Sequence, residues 1–282
     1  MMKTAGESKK QGWRKVGLYA LVWLLAILFF APIVIVVLNS FKTKPEIMVS
    51  TIGLPEKLNF DNYIMIFTNN DFLSSLWFSL IVVAATTTLT VVVSSLAGYA
   101  LARWKSKFSS GIMLVFMTTL FVPFQVYMVA LIVIARQLSL TGSPVGLVLI
   151  YIALGMPVPI FLYRSYAATM SKEIEEAAAI DGCSRIQMFF RVVFPLMKPI
   201  TATVAVLNAL WAWGEFLVAF LVYGNHKPMT IPLSQQYFYG SYNQQWNLIM
   251  AGFVVSTIPI IIFYILMQKH IVKGIAAGAV KG

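Results

Sequence analysis

The sequence predicts an all-α integral membrane protein with six spanning helices. Three observations carry that expectation. The chain of 282 residues is 59% hydrophobic and only 11% charged, where soluble domains carry about a quarter of charged residues. Six apolar stretches lie at roughly 17–38, 74–101, 111–134, 146–168, 200–222 and 249–268, each near the ~20 residues a span needs. Lys and Arg gather in alternate loops, 16 on the side that holds both termini and 5 on the other. Basic residues mark the cytoplasmic side, so both termini are expected there. The same numbers exclude a soluble domain, which would lack polar surface to cover itself, and a disordered chain. The net charge of +11 is then a topology signal, and no basic patch is left over for nucleic acid.

The elements follow in order. The first stretch comes after Arg14-Lys15 and holds Pro32. It is too long for the apolar region of a signal peptide, so a retained helix is expected. A long outside loop, about 39–72, includes Asn59-Phe60-Asp61-Asn62-Tyr63 and then Ile64 and Phe67. That pattern reads as a short capped amphipathic helix at the outer surface. It either docks a partner or covers helix ends. The second stretch contains Ser94-x-x-x-Gly98, and the sixth contains Gly252-x-x-x-Ser256. Such small-residue pairs allow close helix packing, some of it expected between subunits. Pro123, Pro157, Pro159 and Pro259 fall inside stretches and permit kinks.

Intramembrane polar residues are costly and tend to mark function. The fifth stretch carries Asn208, Trp211 and Glu215, spaced to share one helical face. Two readings stand: a stripe that lines a pathway or steadies a gate, or a glutamate that reaches interfacial water or caps a neighbouring helix. No H-E-x-x-H, G-x-S-x-G or phosphate-binding glycine loop is present. One cysteine and two distant histidines, His226 and His270, offer no metal-ligand spacing. No catalytic residue, metal or cofactor is expected, so any energy source lies on another molecule.

The segment 171–195 is the most informative. Glu173, Glu175 and Glu176 open a short helix, where the helix dipole favours acids. Ile174, Ala177 and Ala178 form its apolar face. Gly182 ends it. Ser184-x-x-Gln187 reads as a capping box that opens a second helix. Ile186, Phe189, Phe190, Val193 and Phe194 follow at helical spacing, and Pro195 is expected to stop it. The apolar face must bury against the bundle, the bilayer surface or a partner.

Glu176-Ala177-Ala178, then Asp181-Gly182, then Pro195 resemble the EAA loop of ABC importer permeases. Further stretches resemble the MalG-like carbohydrate permeases. They are Ser40-Phe41-Lys42 with Glu46-Ile47, the run Ala97-Gly98-Tyr99-Ala100-Leu101-Ala102-Arg103, Val122-Pro123-Phe124-Gln125, Trp246 with Met250-Ala251-Gly252, and the ending Ala277–Gly282. Three departures occur. Val192 replaces Ile, Phe194-Pro195 replaces Leu-Pro, and Trp213-Gly214-Glu215 replaces the usual Trp-Asn-Glu.

The resemblance implies a type I ABC importer permease fold in a bacterial or archaeal plasma membrane. It implies a tail, first helix and external loop over 1–69, a transport core over 70–267 and a tail over 268–282. It also implies a second, MalF-like permease, two ATPase subunits, an external substrate-binding protein and a sugar substrate. Glu176, Ala177, Ala178, Asp181, Gly182 and Pro195 would then couple to the ATPase. A permease for glycerol phosphate or an anionic oligosaccharide is the alternative within the class. The spans hold no Lys or Arg near their centres, which leans against it. A secondary carrier would need several intramembrane acids or repeated halves; a membrane enzyme would need a polar cluster on facing spans. Neither pattern is present.

Overall fold

The computed structural model describes residues 5–68, 70–104, 106–236 and 244–279. Lys3, Lys105, Lys281 and the end of the C-terminal tail, 280–282, lie outside the described residues. Among the described residues every regular element is helical. The chain divides into two compact units, Met1–Asn69 with Tyr237–Ser256, and Asn70–Gln236 with Thr257–Gly282.

The first unit holds α1 (Ala5–Ser40), α2 (Lys44–Val49) and α3 (Asp61–Thr68). Within α1, Gly17–Ser40 has a mean hydropathy of 3.1 in its most apolar window, and none of that window is buried. Such a surface suits lipid or another apolar helix, not water. The C-terminal end of α1 differs. Asn39, Ser40 and Lys42 are fully buried. The Lys42 ammonium donates to the Ser50 carbonyl at 2.8 Å. The Asn62 amide donates to the carbonyls of Ser40 and Lys42 and accepts from Asn247 at 2.6 Å. The Asn39 amide donates to the carbonyls of Ile35 and Thr51, and of these buried groups only the Asn39 Oδ1 lacks a partner. The Thr43 N–H and hydroxyl both donate to Glu46 and hold its carboxyl below the ordinary range. The short helix expected near 59–67 forms as α3. The Asn59 side chain accepts the Asp61 N–H at 2.8 Å and so opens it. Asn62 and Ile66 face inward, while Ile64, Met65 and Phe67 are exposed.

The second unit begins with α4 (Asn70–Arg103), α5 (Lys107–Thr119), α6 (Phe124–Gln137), α7 (Pro144–Gly155) and α8 (Pro157–Thr169). Next come α9 (Glu173–Ile180), α10 (Arg185–Met188), a π turn over Phe189–Val193, and α11 (Phe194–Leu196). It continues through α12 (Lys198–Gly214), α13 (Leu217–Val222) and α14 (Ile231–Gln235). The last helix, α15 (Trp246–Ala279), contributes residues to both units.

Among the described residues three helices are long and apolar enough to cross a membrane as single rods: Gly17–Ser40, Asp71–Arg103 and Trp246–Gln268. The third and fourth expected spans are bent pairs. They turn by 106° between α5 and α6, and by 50° between α7 and α8. Pro123 stands at the first break and Pro157 just after the second. Pro157 and Pro159 have no N–H, so the helical ladder loses two bonds there. Pro259, by contrast, sits inside the uninterrupted α15.

Besides a small cluster of Leu101, Met113 and Ile160, two larger ones hold the second unit. One joins Phe78, Val82, Leu147, Tyr151, Val218 and Val222. The other, toward α9, joins Val91, Tyr163, Ala167, Phe189, Val193 and Val204. Gly98 lies on the α4 face that meets α8. A Cβ there would fall 2.6 Å from the Tyr163 Cβ and 2.8 Å from the Arg164 nitrogen. The close packing expected at Gly98 is made within the chain, against α8.

Candidate functional site

The segment from α9 to α11 is a helix–turn–helix. Its first helix carries Glu173, Glu175 and Glu176 in the first turn. It ends in a paired turn: Cys183 N–H bonds the Ala178 carbonyl at 3.0 Å, and Gly182 N–H bonds the Ala179 carbonyl at 3.1 Å. That pattern requires a left-handed residue just past the helix, and Gly182 supplies it with φ +81°. The second helix opens with the expected capping box. The Ser184 N–H donates to Gln187 at 3.0 Å, and the Gln187 N–H donates to Ser184 at 3.3 Å.

Pro195 does not stop the second helix, contrary to expectation. The backbone widens into the π turn, where Phe194 N–H reaches back five residues to the Phe189 carbonyl. The helical path then passes Pro195, which takes the second position of α11, within its first turn, where the ladder needs no donor. The break falls at Met197, where the chain turns by 79° into α12.

One face of this segment anchors in the bundle. Phe189 and Val193 are buried against Val91, Tyr163 and Val204. A second anchor is polar and joins α9 to the end of α4. Arg103 pairs with Glu175, its Nε donating at 2.7 Å. The Tyr99 hydroxyl donates to the other Glu175 oxygen at 2.8 Å. Arg103 also reaches the Met170 carbonyl at 3.3 Å. Charged hydrogen bonds of this kind contribute about 1.5–3 kcal/mol each. Sequence reasoning noted Tyr99 and Arg103 only within a resemblance and Glu175 only as a first-turn acid. The available signal was the i, i+4 spacing of Tyr99 and Arg103 at one end of a span.

The opposite face is open. Glu176, Ala177, Asp181 and Gly182 are exposed, and of the Ala177–Ala178 pair only Ala178 is buried. Ile174 belongs to this outer face, as do Ile180 at 86% and Ile186 at 73% exposure. Of the apolar face expected at Ile174, Ala177 and Ala178, only Ala178 is packed within the chain, while Ile174 and Ala177 stay exposed. Glu176 also edges a cavity of about 520 Å³ with Lys172, Glu175 and Arg185.

In the fifth stretch the shared face of Asn208, Trp211 and Glu215 is interrupted. Helix α12 ends at Gly214, and Glu215 is extended, with φ −75° and ψ 107°. The Glu215 carboxylate accepts the Val218 N–H at 2.9 Å and so opens α13. Its carbonyl accepts the Tyr151 hydroxyl at 2.9 Å. Asn208 and Trp211 stay together and line a cavity of about 340 Å³ with Gly155, Pro157 and Leu162. Among the described residues no three His, Cys, Asp or Glu side chains converge to hold a metal.

Bent apolar spans around an anchored helix pair with an open outer face describe a multi-pass membrane subunit. The family of binding-protein-dependent transport system inner membrane components matches residues 90–277, and the chain belongs to it. It is 37% identical over 259 residues to the probable starch degradation products transport system permease AmyC of Thermoanaerobacterium thermosulfurigenes, covering 92% of this chain and 94% of that protein. It is 30% identical over 273 residues to the arabinooligosaccharides permease AraQ of Bacillus subtilis (strain 168), covering 95% and 96%. The fold matches a chain of a bacterial ABC transporter that imports the acidic polysaccharide alginate, with TM-score 0.80, 19% identity and coverage of 95% and 99%.

Proposed function

We propose that this chain is one of two permease subunits of an ATP-driven, binding-protein-dependent importer of oligosaccharides. The observation that carries the coupling role is the open outer face of α9–α10 on a segment anchored through Glu175, Phe189 and Val193. A partner that grips this face would move the end of α4 and the start of α12 with it. Two ATPase subunits on the cytoplasmic side fit that face, with Glu176, Ala177, Asp181 and Gly182 at the contact. The 16-to-5 distribution of Lys and Arg supports cytoplasmic placement of this side and of both termini. The second permease completes the pathway, to which the cavity beside Asn208 and Trp211 belongs. The exposed Ile64, Met65 and Phe67 of α3 suit an external binding protein.

Neutral oligosaccharides are favoured because relatives with high coverage include permeases for starch degradation products and for arabinooligosaccharides. The test is uptake of labelled maltooligosaccharides and arabinooligosaccharides into vesicles holding the assembled complex and its binding protein. Uptake should require ATP hydrolysis. Uptake that instead follows an ion gradient without ATP would overturn the reading.

A further inference from the structure

The end of the bundle that carries α9 holds another cavity, of about 690 Å³, formed by the end of α4, the start of α5 and the last turns of α8. Trp104, Ser106, Lys107, Ser110, Arg164 and Ser165 line it. Among the described residues neither Lys107 nor Arg164 forms an ion pair. Two cations that share a concave wall repel each other and raise the affinity for an anion.

The position of Arg164 is set by packing. Gly98 lets α8 approach α4 so closely that the Arg164 nitrogen lies 2.8 Å from where a Cβ would stand. The ring of Trp104 is exposed and meets Phe108 with centroids 5.5 Å apart. Trp at a span end marks the depth of lipid headgroups. The hydroxyl of Ser165 adds a donor beside Arg164. Guanidinium, ammonium and hydroxyl donors together match the oxygens of a phosphate group.

We propose that this cavity binds a phosphate-bearing anion at the membrane surface, and that an anionic phospholipid headgroup is its natural source. The proposal rests on the membrane placement of the chain and not on its substrate, so it stands or falls apart from the sugar reading. A free phosphate compound carries the same chemistry, and the experiment separates the two.

The full chain, in its assembled complex, is placed in nanodiscs of phosphatidylcholine doped with phosphatidylglycerol. Native mass spectrometry counts the phosphatidylglycerol that survives delipidation. In parallel, calorimetry titrates the detergent-purified complex with inorganic phosphate. The variants are Lys107→Gln, Arg164→Gln and Arg164→Lys. Lys107 is exposed, so its variant keeps the fold even if Arg164→Gln does not. Removing either cation should weaken phosphatidylglycerol retention about fivefold, since a basic residue near an anionic surface contributes ~1 kcal/mol. Arg164→Lys should restore most of it. Saturable phosphate heat lost in the same variants, without lipid retention, would assign the site to a soluble phosphate compound. Equal lipid retention and equal phosphate heat in wild type, Lys107→Gln and Arg164→Gln would overturn the proposal.

Discussion

Gly98 and Tyr163 approach so closely that a methyl on Gly98 would stand 2.6 Å from the tyrosine Cβ. Backbone atoms of Ile160 and Arg164 lie within 2.9 Å of the same point. No side-chain rotation can relieve that contact, so α4 and α8 must part. Gly98→Leu should therefore destabilise the bundle by more than the ~1–3 kcal/mol of ordinary overpacking. Reduced membrane abundance and a lower melting temperature of the purified complex are the expected results. A Leu variant as stable as wild type would mean that α4 and α8 do not pack at Gly98.

The Arg103–Glu175 pair gives a second prediction. Arg103→Gln and Glu175→Gln should each cost about 1.5–3 kcal/mol, because each strands a partly buried charged partner. The double variant should cost less than the sum, since the two changes share one interaction. Tyr99→Phe removes only one of the two side-chain donors to Glu175 and should cost less than either. Melting temperatures of the four complexes check the cycle. Sugar-stimulated ATP hydrolysis checks the coupling, which should fall in the single variants even where assembly is normal.

Glu215 is read differently once its partners are seen. The carboxylate accepts a backbone N–H, while Tyr151 uses the Glu215 carbonyl. A glutamine oxygen can accept the same N–H, so Glu215→Gln should assemble and transport near the wild-type rate. Glu215→Ala loses the cap and should cost about 0.5–2 kcal/mol, seen as a lower melting temperature. A Gln variant that assembles but does not transport would assign the charge itself to the pathway.

What the sequence made legible was local. The capping box at Ser184 and Gln187, the left-handed turn at Gly182 and the positions of the apolar stretches all follow from neighbours within a few residues. Three features were not legible, for physical reasons. Arg103 and Glu175 stand 72 positions apart, and pairing at that distance leaves no periodic trace. The break after Gly214 occurs in an apolar run without proline, so hydropathy sees one span where two helical pieces meet. The π turn absorbs Pro195 by moving one hydrogen bond a residue further back, a change that no residue type at 189–193 announces. The role of Tyr99 likewise became clear only when Glu175 was found beside it.

The open face of α9–α10 carries the last prediction. Gly182 has φ +81°, and no atom lies within 4 Å of the position a Cβ would take. Substitution there meets strain in the backbone, not a clash in this chain. Gly182→Val should cost about 1–3 kcal/mol of local strain, whereas Gly182→Asn tolerates the left-handed region and should be milder. Glu176 is exposed, so Glu176→Lys leaves the fold intact and reverses a charge on the proposed contact. Losing one member of a charge pair that the contact buries costs roughly 2–5 kcal/mol. The lesions lie outside the spans, so membrane insertion and docking of the binding protein should persist. Co-purification of the ATPase should fall in Gly182→Val and Glu176→Lys and recover in Gly182→Asn. If all three variants retain the ATPase and its stimulation by sugar, 171–195 is not the coupling element, and the outward-facing Ile180 and Ile186 need another partner.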